Sequence, residues 1–232
     1  MTALIETYDR LTDRLRSAGD WIAPLGLRLL LGYEFFKAGL GKAGVDGVPG
    51  WFANKAFPLP FDGLPAGVNW AMVTWTEILA AIALMLGLFT RFAAFSLVMV
   101  TTVAIVSTHW PESWAGLGQL WEGYSVSRVM DDGEFRGNFR IPMLFLAMLL
   151  PLVFMGGGKL SLDHALITFG QRADLVHARR DDLLALALAL LVPGLALVYL
   201  IPLWGVVLLL GAAGAAVAYR LRGAPAAGRR GQ

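Results

Sequence analysis

The chain has no cysteine among its 232 residues. That excludes thiol–disulfide exchange, thiolate metal sites and iron–sulfur ligation by the chain itself. Histidine is nearly as scarce. His109, His164 and His177 are not spaced as joint ligands, so no haem pair and no histidine-rich metal site can be drawn. Charge is thin throughout, at 16% of residues, and whole stretches lack it. Residues 92–111, 141–158 and 183–219 contain no Asp, Glu, Lys or Arg. One helical crossing of a bilayer takes roughly 20 apolar residues, so these runs define a membrane protein. No internal repeat is present, which weighs against an inverted-repeat transporter. Low complexity is confined to the Gly/Ala/Arg-rich tail at 222–232.

What is present reads as six spans, near 21–41, 66–89, 91–110, 141–157, 183–201 and 203–220. Backbone groups in lipid must be satisfied internally, so each should be a helix. Their length excludes the short alternating strands of an outer-membrane barrel. Tyr199 and Trp204 flank Ile201-Pro202, the expected turn of a C-terminal hairpin. The fold class is therefore all-α, a polytopic membrane bundle.

Basic residues set the expected orientation. With six spans, one side holds twelve: Arg10, Arg14, Arg16, Arg91, Lys159, Arg172, Arg179, Arg180, Arg220, Arg222, Arg229 and Arg230. The other holds five: Lys42, Lys55, Arg128, Arg136 and Arg140. Both termini are thus expected in the cytoplasm. These arginines read as topology signals and contacts to anionic lipid, not as a nucleic-acid surface. The first apolar run follows a mixed-charge segment without a small-residue cleavage site, so no cleaved leader is expected.

Two polar-faced segments flank the core. Leu4, Tyr8, Leu11 and Leu15 share one helical face within 3–17, and 161–177 repeats the pattern with Leu162, Leu166, Phe169, Ala173 and Val176. Both read as in-plane amphipathic helices on the cytoplasmic surface. The external loops, 42–65 and 110–140, are rich in aromatics, including Trp51, Trp110, Trp114 and Trp121. They are either a lid on the mouth of the bundle, with these tryptophans as its partner-binding residues, or a belt at the headgroup level. The expected organisation is a surface segment at 1–20, a membrane core at 21–160, an interfacial segment at 161–182, a hairpin at 183–221 and a tail at 222–232.

The strongest functional pointer is charge inside the spans. Arg28, Glu34 and Lys37 lie in the first span and Glu77 near mid-depth in the second; Lys42 closes the first at its external end. An ionisable group in hydrocarbon costs a few kcal/mol on insertion scales, so these residues must be paired or used. Glu77 and Glu34 are candidate catalytic carboxylates. Arg28, Lys37, Lys42, His109 and Asn138 are candidate ligand-binding residues, Lys37 lying three residues from Glu34 on the same face. A quinone would suit such a cluster, since its carbonyls need donors and its reduction needs protons. The alternatives are a neutral network, Glu34 and Glu77 against Arg28 and Lys37, that locks the helices together, or a metal site at the same residues.

Other motifs read more plainly. Met143, Met148 and Met155 do not keep one strict face and read as gap-fillers. Gly156-Gly157-Gly158-Lys159 lacks the spacing of a phosphate loop and reads as a helix terminus. Thr90 is a candidate N-cap for span three, and Asn138 for span four.

Several of these residues together resemble the DoxX family. The run from Arg28 to Lys42 carries the family's Arg, Gly39 and Lys spacing. Glu77 is followed by Leu86-Gly87 and by Thr90-Arg91. Gly137–Met143 precedes span four, and Gly156–Asp163 follows it. The resemblance covers about 20–170 and implies a four-helix core, with the last hairpin outside it. Trp51-Phe52, the 57–61 run FPLPF, His109-Trp110 and Gly137-Asn138 are similar to a subgroup that accompanies the maturation machinery of copper-binding ribosomal peptides. The family's link to membrane redox chemistry implies an inner-membrane accessory subunit of an oxidoreductase, with a soluble redox or peptide-modifying partner. The rival reading is a non-enzymatic scaffold or export factor for a copper-binding peptide system.

Overall fold

A computed structural model describes residues 2–110, 130–131, 134–135, 140–170 and 182–223. Its elements are α1 (Thr2–Ala43), α2 (Gly50–Ala53), α3 (Ala66–Leu86), α4 (Thr90–Ala104), a π-helical turn (Ile105–His109), strands β1 (Met130–Asp131) and β2 (Glu134–Phe135), α5 (Arg140–Met155), α6 (Leu162–Phe169), α7 (Leu183–Leu200) and α8 (Pro202–Gly223). The strands form one antiparallel pair, with Met130 opposite Phe135. The chain divides into two compact units, Met1–Val176 and His177–Gln232.

Among the described residues, four helices are long and apolar enough to cross a membrane: α3, α4 with its π turn, α7 and α8. α5 is apolar but spans 16 residues. α1 is set apart by the charges between residues 28 and 37. It is also longer than expected. The segment 3–17 and the first span are one helix of 42 residues, with Pro24 inside it. Only one glycine, Gly19, and no proline lies between them, and the helix continues where a separate in-plane segment was expected. Leu4, Tyr8, Leu11 and Leu15 are exposed along its first turns.

The first unit is built on the α1–α3 contact. Arg28, Leu31, Gly32, Phe35, Gly39 and Lys42 recur at three- and four-residue steps, which places them on one face of α1. Leu31 and Phe35 are buried there. Gly32 and Gly39 bring the backbones close: a Cβ on Gly39 would lie 2.7 Å from Ile78 Cγ1, and one on Gly32 would lie 2.5 Å from Met85 Cγ. Small residues at such a seam let helices approach in a membrane. α4 returns antiparallel to α3 after a tight turn, and α5 packs on α4 and α1. Leu84, Leu97, Ile105, Leu149 and Leu152 fill the interior, and the Phe35 and Phe145 rings meet at 5.3 Å.

The second unit is the expected hairpin. Asp182 caps α7 by accepting from the Ala185 N–H at 2.9 Å. Ile201 ends that helix, and Pro202 opens α8, a position where its missing N–H costs nothing. Gly205 sits against the backbone of α7, where a Cβ would lie 2.2 Å from Val198 N. Backbone cannot yield as a side chain can. Gly205→Val is therefore expected to cost at least the ~1–3 kcal/mol of an overpacked core, seen as a lower melting temperature in detergent. Gly214→Val, where nothing lies within 4 Å, is the control expected to melt like the parent.

Candidate functional site

Lys42 and Glu77 form a buried ion pair. Lys42 Nζ donates to Glu77 Oε2 at 2.7 Å and to Oε1 at 3.0 Å. Glu77 is only 6% exposed, whereas the Lys42 side chain keeps 24% of its surface. The local sequence explains the meeting. Gly39 removes the side chain that would separate the helices, and its Cβ position is 3.2 Å from Glu77 Cβ. Lys42 follows by three residues in the last turn of α1, where the helix dipole favours a cation. An ammonium has three N–H donors. Two are held by Glu77, and among the described residues none accepts the third.

An aromatic cover lies beyond this pair. Trp70 precedes Glu77 by two turns of α3, about 10 Å along the axis. Phe52 of α2 packs on Trp70 with ring centroids 4.8 Å apart, and Phe57 packs on Phe52 at 4.9 Å. Trp51 meets Trp70 edge-on at 6.1 Å but remains 57% exposed. Asn69 Nδ2 donates to Phe61 O at 2.9 Å and ties the loop to α3. The 42–65 loop is thus folded down over this end of the bundle.

Arg28 occupies the other end, about 21 Å along α1 from Lys42 at 1.5 Å per residue. It is 2% exposed and, among the described residues, hydrogen-bonds no carboxylate, although Asp163 lies near enough to act on it electrostatically. Its guanidinium donates to four carbonyls: Leu84 O at 2.8 Å, Met85 O at 3.1 Å, Gly157 O at 2.6 Å and Leu160 O at 2.8 Å. Leu84 and Met85 belong to the last turn of α3, where carbonyls lack the i+4 partner of the helix interior, and Leu84 O also accepts from the capping Gly87 N–H at 3.0 Å. Gly87 ends that helix at φ +69°, and a Cβ there would strike Arg28 Cζ at 2.7 Å. Two further charged groups complete this end. Asp163 accepts from the Phe89 N–H at 2.7 Å and the Thr90 N–H at 2.8 Å. Arg91 donates to the carbonyls of Val153, Phe154 and Met155, the last turn of α5. Thr90 is therefore not the N-cap expected from the sequence. Phe89 holds that position, and the carboxylate of Asp163, 74 residues later, supplies the acceptor.

The remaining candidates fall in different places. Glu34 and Lys37 are exposed on α1, off the face that meets α3, and form no ion pair with each other. The expected cluster of Arg28, Glu34, Lys37 and Glu77 is thus divided. Arg28 bonds backbone, Glu77 bonds Lys42, and Glu34 and Lys37 face outward. The angular arithmetic gives the reason. At about 100° per residue, Lys37 points roughly opposite Arg28, and Glu34 lies about 120° away. His109 and Trp110 are half-buried at the end of the π turn, where Trp110 N donates to Ile105 O at 2.7 Å. Lys55 of the 42–65 loop lies near enough to act on His109 electrostatically. Trp114, Trp121 and Asn138 lie outside the described residues. Asp163 and Arg91 were missed as functional positions. Their partners are backbone atoms, which leave no mark in a sequence.

Apolar helices of spanning length, packed on a helix with buried charge at both ends, define a multi-pass helical membrane protein. Residues 23–110, from α1 to the π turn, match the DoxX family. The chain is also 34% identical over 152 residues to an uncharacterized protein of Haemophilus influenzae, covering 65% of this chain and 87% of that one. The chain belongs to the DoxX family. No solved structure matches it.

Proposed function

We propose that this protein is a redox-associated subunit of a bacterial inner membrane, with both termini in the cytoplasm, and that Lys42 and Glu77 receive the polar head of a lipophilic ligand. A single observation carries the reading: Lys42–Glu77 is a buried ion pair with donor capacity left over. At the opposite end Arg28, Arg91 and Asp163 are consumed by backbone, and Lys159 pairs with Asp20. A quinone fits the donor set, and it would accept two electrons and two protons. Lys42 would donate its remaining N–H to a ring carbonyl oxygen. Glu77 would pass protons at its carboxyl oxygens. Electrons would come from a soluble partner at the aromatic cover, where the exposed indole of Trp51 offers a contact. His109 and Asn138 remain candidates for the rim of the same end. Glu34 and Lys37 are left for another role.

A second reading rests on the cover alone. Trp51 and Trp110 would dock a partner of a copper-binding peptide system, and the chain would act as its scaffold or export factor. The two are separated by titrating a short-chain quinone into protein in nanodiscs and following tryptophan fluorescence. Saturable quenching at one quinone per chain, weakened at least tenfold in Lys42→Met, is expected. Linear quenching that is equal in both proteins would favour the scaffold.

A further inference from the structure

Glu34 and Lys37 pose a separate problem. Arg28 bonds Leu84 and Met85, and Lys42 bonds Glu77. The stretch of α1 between them therefore lies alongside 77–85 of α3, a helix long and apolar enough to span. Gly32 abuts Met85 and Ala81, and Gly39 abuts Ile78. Glu34 and Lys37 lie between those levels, in the same slab, and both are exposed. Two opposite charges facing hydrocarbon are costly. The apolar run 183–219 cannot neutralise them, because it contains no charged residue.

We propose that this face of α1 is a dimer interface, and that its occupant is a second copy of this chain. Copies inserted in one orientation are related by a two-fold axis along the membrane normal. Such an interface is isologous, so each residue meets its counterpart's surroundings. Glu34 of each copy then meets Lys37 of the other, three residues or about 4.5 Å along the axis, and both charges are answered. The surrounding surface suits close approach. Gly26, Leu30, Tyr33 and Gly41 lie within about 40° of Lys37 around the helix. All are exposed, and a Cβ on Gly26 or Gly41 would meet nothing within 4 Å. Small residues on such a face allow helices to pack in lipid.

Charge reversal tests this directly. The parent in lipid vesicles, diluted and scored by single-molecule photobleaching, is expected to give two-step traces. Glu34→Lys places two lysines against two lysines and should raise the apparent dissociation constant at least tenfold. The double swap Glu34→Lys/Lys37→Glu restores every pairing and should restore the dimer. The lack of native cysteine gives a second readout. Leu30→Cys should cross-link between copies, and Leu79→Cys, exposed on α3, should not. A parent that stays monomeric at all dilutions overturns the proposal. So does a double swap that behaves like the single reversal while cross-linking at Leu30→Cys is lost. Capture of a different protein by a monomeric parent assigns the face elsewhere and also overturns it.

Discussion

Arg28→Leu is expected to leave almost no folded protein. The substitution removes four hydrogen bonds from a cation to carbonyls at the end of α3 and in the 157–160 turn, two of them fully buried. Hydrogen bonds to charged groups contribute about 1.5–3 kcal/mol each. Their combined loss is comparable with the whole stability of a typical domain, ~5–15 kcal/mol. Arg28→Lys should fail nearly as badly. One ammonium is a point donor with three N–H groups, whereas the guanidinium presents five in a planar fork. The measurement is the monodisperse fraction and melting temperature of each variant in mild detergent. A melting temperature within a few degrees of the parent's would show that Arg28 does not hold these turns. Ligand affinity is not the readout here, because Arg28 lies at the far end of α1 from the proposed site.

The second large effect separates structure from chemistry at Lys42 and Glu77. Glu77→Ala leaves an ammonium facing a cavity in the bundle, and breaking a buried pair from one side costs about 3–5 kcal/mol. The partial exposure of Lys42 places the cost at the lower end. Lys42→Met/Glu77→Leu removes both charges at similar volume, a change that is often neutral or stabilising. The double variant is therefore expected to melt near the parent and well above Glu77→Ala. It should nonetheless bind quinone at least tenfold more weakly, since the donor is gone. Unchanged affinity in a stable double variant would assign the pair to packing alone. The comparison is made by melting curves and quinone titration on the same preparations.

The overall architecture was legible because hydrocarbon leaves few choices. A run such as 183–219 can only be helical and must turn near Ile201-Pro202, and it does. The continuity of α1 was not legible. An amphipathic stretch followed by an apolar one reads as two elements when nothing but periodicity divides them. The pairing of charges was also hidden. Glu77 stood out in the sequence as a charge inside a span, but its partner is Lys42 and not the nearer-sounding Lys37. The rotation of α1 decides this, and Gly32 and Gly39 decide the rotation, because only that face lets the backbones close. Their seven-residue spacing, in step with Arg28 and Lys42, was a signal present in the chain. Arg28 shows the opposite limit. A buried arginine suggests a carboxylate partner, yet carbonyls satisfied it, and carbonyls belong to every residue.

The most direct measurement is the ligand content of the native protein. Parent and Glu77→Gln would be purified in mild detergent, extracted into organic solvent and examined by mass spectrometry, with folding checked by melting temperature. Quinone near one equivalent per chain is expected in the parent, and its loss from a folded Glu77→Gln. A folded parent without quinone, or quinone retained equally by both proteins, would contradict a ligand site at Lys42 and Glu77.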